Sequence, residues 1–204
     1  MGIAERKERE KADMRRRIVD AAIKMFVEEG YEKISIRNIA EKIEYSPATI
    51  YLYYKDKDEL LHDMQGEAFI ALGVMFEQKL TARDPLKRLE QLMQLYLQFA
   101  FDQPELYDLM FIIKAPMNTL KESEDWMNGL ACYRFLEEIM EECVTQKLIR
   151  MHDVRLATLS AWAHAHGFVS LYLRCRLKIS GFDEADIPKV IEKALKDYLK
   201  LLRA

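Results

Sequence analysis

The stretch SIRNIAEKIEYSPATIYLYYKDK, residues 35–57, decides the fold. Ser35 and Ser46 each precede a short segment in which apolar residues follow helical spacing. A serine hydroxyl at that place accepts a hydrogen bond from a free backbone N–H at the start of a helix. Pro47 follows directly after Ser46, and proline is well tolerated as the first residue of a helix. The pattern predicts two helices of about eight residues, Ser35–Ile43 and Pro47–Tyr54.

The connection Glu44-Tyr45-Ser46 is typical of a helix-turn-helix, in which the second helix enters the major groove of DNA. The inward positions of both helices are apolar, and an earlier helical segment that ends at Gly30 supplies more apolar residues. The outward residues of the second helix are small, apolar or phenolic, and such residues allow close approach to bases and phosphates. The alternative from spacing alone is an ordinary pair of packed helices.

The composition favours an all-α protein. The chain has 204 residues, of which 50% are hydrophobic and 32% charged, with seven glycines and five prolines. So few turn-forming residues argue against β-sandwiches and barrels. Caps and 3.6-residue periodicity predict about nine helices. We expect a three-helix domain over residues 1–55 and a larger helical domain over residues 56–204.

Charge and cysteine content place the chain in the cytoplasm. The net charge is −3, so DNA binding has to rest on a local pattern rather than on overall basicity. Three cysteines without C-x-x-C spacing are typical of reduced thiols. The N-terminus is polar, and the longest apolar run, residues 69–76, has eight residues. These features predict neither a secretion signal nor a membrane partner.

The first 17 residues form a basic segment, with seven basic and four acidic side chains. As a flexible arm over residues 1–14, this segment would follow a phosphate backbone or enter a minor groove. The alternative is a solvated helix with alternating charge, which the pattern favours slightly.

Residues 18–64 resemble the N-terminal domain of the TetR (tetracycline repressor) family of transcriptional regulators. The resemblance lies in IVDAA at 18–22, Phe26-x-x-x-Gly30-Tyr31, SIRNIA at 35–40 and SPATIYLYYKDKDELL at 46–61. It implies a homodimer that binds a palindromic operator in double-stranded DNA. The positions implied to contact DNA are Arg37, Pro47, Ala48, Thr49, Tyr51, Leu52, Tyr53 and Lys57.

Two further expectations concern this region. The resemblance implies that Ile50 and Tyr54 are buried. The family usually has Gly-Val in the turn, where this chain has Glu44-Tyr45. A residue other than glycine in the left-handed conformation costs on the order of 1 kcal/mol, so we expect the turn to form.

For the larger domain, the resemblance implies a small-molecule effector and a dimer interface. Met and aromatic side chains suit an adaptable cavity for an apolar or aromatic effector, with ordinary core packing as the alternative. The candidate effector residues are Met75, Met93, Tyr96, Met110, Phe111, Trp126, Phe135 and His166. The last two long helices have apolar periodicity that suits an intersubunit four-helix bundle, with packing inside one subunit as the alternative. The candidate interface residues are Leu159, Ala163, Gly167, Ser170, Ile191, Leu195, Tyr198 and Leu202.

Enzymatic function is not expected. Glu59-x-x-His62 has the spacing of one half of a di-metal carboxylate site, but the sequence offers no second Glu-x-x-His pair. There is no glycine-rich phosphate loop and no G-x-S-x-G, and we expect neither a metal nor a cofactor. The sequence predicts a ligand-responsive repressor. The alternative is a helical adaptor that keeps the fold and acts through protein partners.

Overall fold

The computed structural model describes residues 3–121 and 126–204, and most of these residues are helical. Those residues form nine α-helices and no strand, which confirms the all-α prediction. The helices are α1 (Ile3–Glu29), α2 (Ile36–Lys42), α3 (Pro47–Ile50), α4 (Lys57–Lys79), α5 (Pro85–Asp102), α6 (Pro104–Phe111), α7 (Leu130–Thr145), α8 (Val154–Leu173) and α9 (Ile187–Leu202). None of these helices is both long enough and apolar enough to cross a membrane.

Helices α1, α2 and α3 share one apolar core. Ile18 and Ala22 of α1 are one helical turn apart, and both are fully buried. Ile39 of α2 and Ile50 of α3 are also fully buried in this cluster, as is Tyr54, which follows α3. The prediction that Ile50 and Tyr54 are core residues is confirmed.

Side-chain caps begin several helices at the predicted positions. The hydroxyls of Ser35 and Ser46 accept the N–H three residues later, at 3.1 Å and 3.2 Å. The carboxylates of Asp84 and Asp153 cap α5 and α8 in the same way. Asp186 precedes α9 but makes no side-chain cap, because it ends a 3-10 turn and its backbone is already helical.

The second helix of the helix-turn-helix pair has less regular α-helix than predicted. Its α-helical part, α3, ends at Ile50. The N–H groups of Leu52 and Tyr53 then bond to carbonyls three residues back, at 3.2 Å and 2.9 Å. Bonds of this 3-10 type tighten the last turn of a helix, and here they lead to the buried Tyr54. Residues 47–54 are called the recognition segment below.

Two residues with positive φ redirect the chain around α2. Gly30 has φ 84° and ψ 169°, which differs from the left-handed helical conformation that glycine commonly adopts after a helix. This region is essentially accessible only to glycine. Glu44 has φ 61° and is left-handed as predicted. Its N–H bonds to the carbonyl of Glu41 at 3.1 Å, and the N–H of Tyr45 bonds to that of Ala40 at 2.9 Å. Together these bonds form a Schellman motif.

Contacts divide the chain into two compact units. The first unit contains Met1–Ile70 and Glu105–Asn128, and the second contains Ala71–Pro104 and Gly129–Ala204. Residues 105–128 join the first unit because they include Leu109, which is fully buried in its core. The predicted boundary after residue 55 concerns functional domains and stays a prediction.

The basic N-terminal segment is helical where it is described. Helix α1 begins at Ile3, and the side chains of residues 5–13 are exposed. Residues 1 and 2 of the predicted arm lie outside the described residues. The helical alternative therefore describes residues 3–14, while flexibility and DNA contact by this segment stay predictions.

The second unit packs α5, α7, α8 and α9 together. On α5, Leu89 and Leu92 are buried along one face. An ion pair between Arg88 and Glu142 joins α5 to α7. Near the end of the chain, the N–H of Arg150 bonds to the Leu202 carbonyl at 2.8 Å, which ties the end of α9 to the segment after α7.

Candidate nucleic-acid interface and effector region

The recognition segment presents the side chains that were predicted to contact DNA. Its inner side is closed by Ile50 and Tyr54, which are fully buried. Its exposed members are Pro47, Ala48, Tyr51 and Leu52, and its half-buried members are Thr49 and Tyr53. Leu52 is 76% exposed and Tyr51 57%, so a large apolar side chain and a phenol stand side by side in water. Such residues are suited to contact base edges and phosphates.

The start of the recognition segment is fixed by a local hydroxyl pair. The Ser46 and Thr49 hydroxyl oxygens are 3.0 Å apart and share a hydrogen bond. A hydroxyl has one donor and two acceptor sites, so the Thr49 hydroxyl keeps capacity for a base edge.

Lys57 is held against an aromatic ring at the start of α4. Its Nζ lies 3.9 Å from the centre of the Tyr31 ring and 3.4 Å from the Tyr31 carbonyl oxygen. Burial lowers the pKa of Lys57, and the charges of Glu32 and Asp58 oppose that shift. The second residue predicted for DNA outside the recognition segment, Arg37 on α2, is exposed.

A further cation lies beside the turn of the helix-turn-helix. The guanidinium carbon of Arg17 is 5.4 Å from the centre of the Tyr45 ring, and Arg17 is exposed. The sequence indicated Arg17 only as one of the basic residues of the N-terminal segment, and it did not indicate Tyr31 or Tyr45 as parts of this surface. Contacts between residues 26 to 28 positions apart leave no trace in helical periodicity.

The end of the recognition segment is tied to α1 and α4. The Tyr54 hydroxyl donates to Asp63 Oδ2 at 2.9 Å, and Arg15 Nη2 donates to the same oxygen at 3.0 Å. Burial raises the pKa of Tyr54, and the Asp63 charge raises it further. The sequence did not indicate this group, since Arg15 appeared only as one of the basic residues of the N-terminal segment and its contact with Asp63 spans 48 positions.

The candidate effector residues fall into both compact units. Five of them belong to the second unit: Met75, Met93, Tyr96, Phe135 and His166. The hydroxyl of Tyr96 and Nδ1 of His166 are 3.2 Å apart, and the His166 ring meets the edge of Trp162. Burial lowers the pKa of His166, and the positive charge of Arg174 lowers it further. This pair is the polar point in an otherwise aromatic and aliphatic set.

The other three candidates, Met110, Phe111 and Trp126, lie in the first unit. The Phe69 ring packs edge-on against the rings of Phe111 and Trp126, with centres 5.3 Å and 5.2 Å apart. The indole N–H of Trp126 donates to the side-chain oxygen of the buried Gln65 at 3.0 Å. These contacts are those of a packed core, which was the alternative for these residues.

The candidate dimer residues separate into exposed and buried sets. Leu159 is 51% exposed and Ala163 is exposed, while Gly167, Ser170 and Tyr198 are half-buried. The buried set is Ile191, Leu195 and Leu202, at 0%, 3% and 8% exposure. The assignment of these three to an intersubunit contact needs correction, because their side chains already pack inside their own subunit.

Comparison with known proteins assigns both parts of the chain. The family profile described as bacterial regulatory proteins, tetR family, matches residues 18–64. A second profile, described as tetracyclin repressor-like, C-terminal domain, matches residues 89–198, more than half of the chain.

Relatives and solved structures agree with these matches. The fatty acid metabolism regulator protein of Bacillus subtilis is 30% identical over 73 residues, which cover 34% of this chain and 38% of that protein. The biofilm operon icaADBC HTH-type negative transcriptional regulator IcaR of Staphylococcus epidermidis is 25% identical over 99 residues, 48% of this chain and 52% of that protein. The chain thus spans about half or less of the length of these relatives.

The fold itself is shared over nearly the whole chain. The crystal structure of a TetR transcription regulator from Haloarcula marismortui superposes with a TM-score of 0.71 at 17% identity, covering 95% of this chain and 100% of that one. Members of this family are DNA-binding regulators and not enzymes. With profiles matching both its helix-turn-helix and most of the rest, the chain belongs to the TetR family of transcriptional regulators.

Proposed function

We propose that this chain is a ligand-responsive repressor that acts in the cytoplasm and binds a palindromic operator as a homodimer. The observation that carries the proposal is the recognition segment. Tyr51 and Leu52 stand exposed on its outer side while Ile50 and Tyr54 anchor it from within. Exposed apolar side chains next to each other are typical of an interaction site. The Staphylococcus relative is named as a negative transcriptional regulator, which supports repression.

The exposed apolar face of α8 supports a homodimer. Leu156, Leu159 and Leu171 are 57%, 51% and 45% exposed. With Ala163 and Gly167 they fall within one side of the helix at 3.6 residues per turn. Small residues in the middle of such a face permit close approach of a second helix. The same face of a second copy is self-complementary under two-fold symmetry.

Helix α9 completes this face with its outer side. Leu201 is 73% exposed, and Val190, Ala194 and Tyr198 precede it at helical spacing, each half-buried. The proposed interface therefore uses Tyr198 and Leu201, and not the buried Ile191, Leu195 and Leu202.

The effector we propose is a small apolar or aromatic molecule bound in the second unit. Met75, Met93 and Phe135 offer apolar and aromatic surface there, and the Tyr96–His166 pair offers one polar contact. Since burial lowers the pKa of His166, the imidazole is neutral at neutral pH and suits an uncharged partner group. The Bacillus relative is named as a fatty acid metabolism regulator, which supports an apolar effector.

Release from the operator follows from the geometry of two half-sites. A dimer reads half-sites about 34–36 Å apart, one helical turn of DNA. Effector binding that changes the separation of the two recognition segments would lower operator affinity, because both segments then cannot occupy their grooves together.

Repression is tested in the organism that encodes the chain. Immunoprecipitation of the tagged chain recovers the DNA it binds, and transcripts of the adjacent genes are compared with and without the gene. We expect a recurring palindrome and transcripts that rise on deletion. Falling transcripts would contradict repression, and recovery of proteins without DNA would favour the adaptor.

The effector is tested by a melting-temperature screen of metabolites followed by an operator release assay. A ligand at about 100 times its Kd adds roughly 2.7 kcal/mol of stability. We expect an apolar or aromatic compound that raises the melting temperature and also releases the duplex. His166→Phe, which removes the polar contact, should weaken that response. A stabilising compound that leaves the duplex bound would contradict ligand-responsive release.

A further inference from the structure

The recognition segment is too short to fix its own direction. Only residues 47–50 are α-helical. The N–H groups of Leu52 and Tyr53 bond to carbonyls three residues back, and that of Tyr54 bonds to Ile50, four residues back. Ile50 and Tyr54 hold the segment from inside, but apolar packing is non-directional. It sets how deeply the segment sits more firmly than its rotation about its own axis. That rotation decides which bases Tyr51 and Leu52 face.

A hydrogen bond from Tyr54 supplies this direction. Its hydroxyl donates to Asp63 Oδ2, and the same oxygen accepts from Arg15, at 2.9 Å and 3.0 Å. The guanidinium carbon of Arg15 also lies 4.7 Å from the centre of the Tyr54 ring. One carboxylate oxygen thus joins α1, the end of the recognition segment and α4.

Glu59 holds the next residue of the chain in the same way. Glu59 precedes Asp63 by one turn of α4, and its Oε2 accepts the N–H of Lys55 at 2.7 Å. Its Oε1 lies 3.7 Å from Arg15 Nη2. The carboxylates of Asp63 and Glu59 therefore lie on one face of α4 and accept hydrogen bonds from two consecutive residues, Tyr54 and Lys55. Both carboxylates also contact Arg15.

The exposure of these groups favours orientation over stability as their role. The side chains of Arg15 and Asp63 are 35% and 37% exposed, and ion pairs that water reaches contribute little to folding. Hydrogen bonds to a charged group are nevertheless short and directional. Because its pKa is raised, Tyr54 keeps its proton and remains a donor.

We propose that Asp63 is a positioning residue for DNA reading, which fixes the rotation of the recognition segment by accepting the Tyr54 hydroxyl and the Arg15 guanidinium on one oxygen. The inference rests on DNA reading by that segment. It predicts that losing this bond reduces discrimination between DNA sequences more than it reduces affinity for DNA in general, since phosphate contacts do not depend on base identity.

The test compares two affinities for each variant. One is for the duplex that the wild-type chain recovers from a random pool, and the other is for a scrambled duplex at the same salt concentration. The variants are Tyr54→Phe, Asp63→Asn and the double variant. Asp20→Asn is the matched control, since it removes the same charge from an exposed pair with Arg16 on α1.

We expect each single variant to bind the selected duplex about tenfold more weakly, which is the weight of one hydrogen bond to a charged group. Affinity for the scrambled duplex should change by less than about twofold. The double variant should be no weaker than the weaker single variant, because both changes act on the same hydrogen bond, which Tyr54→Phe removes and Asp63→Asn deprives of its negative charge. Asp20→Asn should keep the wild-type ratio of the two affinities.

Three results would overturn the inference. The first is a folded Tyr54→Phe variant with the wild-type ratio of affinities, and the second is an equal loss on both duplexes. Tyr54→Phe decides alone if Asp63→Asn fails to fold, since it removes a single oxygen atom and keeps the buried ring. The third is a wild-type chain without any preferred duplex, which would refute DNA reading itself and is seen before any variant is made.

Discussion

Glu44 lies in the turn between α2 and the recognition segment. It adopts φ 61° at the end of α2, a conformation that costs a residue with a side chain about 1–2 kcal/mol. The carboxylate is also exposed in the turn that leads to the recognition segment. The positive φ of Glu44 lowers stability, and its negative charge opposes DNA binding by the proposed recognition segment.

Glu44→Gly should therefore improve two properties at once. Relief of backbone strain, less the greater freedom of glycine in the unfolded chain, should raise the free energy of unfolding by about 0.5–1 kcal/mol. Removal of the negative charge should raise affinity for DNA, and the gain should be largest at low salt, where repulsion between the carboxylate and the phosphates is least screened. Urea unfolding and DNA titration measure the two effects.

Two variants separate these causes. Lys147 has φ 55°, so Lys147→Gly should give the same gain in stability without a gain in DNA affinity. Glu44→Gln changes the charge alone and should improve affinity only. If Glu44→Gly lowers stability, the assignment of strain to this turn is wrong.

Local chemistry at single residues was readable from the sequence where it depends on near neighbours. The caps at Ser35 and Ser46 follow from residue type and the next three positions, and the structure confirms both. The contact of Lys57 with Tyr31 joins residues far apart along the chain. It depends on how α4 packs, and so periodicity could not show it.

Gln65 of α4 secures helix α6 within the first unit. It is 1% exposed, and its amide nitrogen donates to the carbonyls of Leu109 and Met110 at 3.3 Å and 3.2 Å. These carbonyls belong to the last turn of α6, where no helical partner remains. Its oxygen accepts the Trp126 indole N–H. The Asn128 amide donates to the same oxygen at 3.3 Å, so one side chain bonds four buried or half-buried groups.

Gln65→Met should destabilise the chain by about 3 kcal/mol. The new side chain fills similar space but leaves those carbonyls and the indole N–H without this partner, and each unsatisfied buried group costs about 1–3 kcal/mol. The free energy of unfolding from urea titration measures the effect. Gln91 also caps backbone N–H groups, at Thr81 and Ala82, but in an exposed loop. A loss for Gln91→Met as large as that for Gln65→Met would contradict the role of burial.

For the secondary-structure elements, the sequence predicted which segments are helical better than it predicted where each helix ends. The number of helices and most starts follow from caps and periodicity. The early end of α3 goes with the 3-10 bonds of Leu52 and Tyr53, which residue type and periodicity did not indicate. In α9, two apolar stripes lie side by side, and only packing against the rest of the second unit shows that Ile191 and Leu195 form the inner one.

The exposed face of α8 predicts that the molecule works as two copies. Leu159→Glu places a charge in that face without disturbing the subunit core, since Leu159 is 51% exposed. We expect sedimentation equilibrium to give twice the 24.1 kDa of the chain for wild type and the single mass for the variant. Operator affinity should fall with it.

The control is Val74→Glu, at another exposed apolar residue of the second unit, 42% exposed on α4. It should leave the mass of the dimer unchanged. A dimer that survives Leu159→Glu would show that the α8 face is not the interface.

Acid should weaken the second unit through its histidines. Burial lowers the pKa values of His164 and His166 below the ordinary value of about 6.5. Their neutral forms are favoured in the folded chain, so the unfolded chain binds more protons as pH falls from 6.5 toward the folded pKa values. Stability is therefore full above about pH 6.5 and decreases through that window.

Thermal unfolding between pH 7.5 and 5 measures this loss. His166→Gln should flatten the decrease, because it removes one of the groups that resists protonation. His152 is exposed, so His152→Gln should leave the pH profile as in wild type. A His166→Gln profile that is as steep as wild type would contradict the assignment.

For the whole molecule, the sequence predicted a helix-turn-helix part followed by a larger helical part, but it did not predict the two compact units. Residues 105–121 and 126–128 belong to the same compact unit as the N-terminal helices, although they follow α5 of the second unit. A pattern of caps and periodicity describes each helix on its own and does not show which distant helix it joins.

The central claim is that the recognition segment reads DNA sequence, and selection from a random duplex pool tests it most directly. Wild type and Tyr51→Ala are run side by side at moderate salt, with Lys24→Ala, an exposed change on α1, as the control. If the recognition segment reads DNA sequence, wild type and the control should enrich the same palindrome, with half-sites one helical turn apart. Tyr51→Ala should not enrich it. Sequence reading by this segment would be contradicted if none of the proteins enriched a palindrome, or if Tyr51→Ala enriched the same palindrome as wild type.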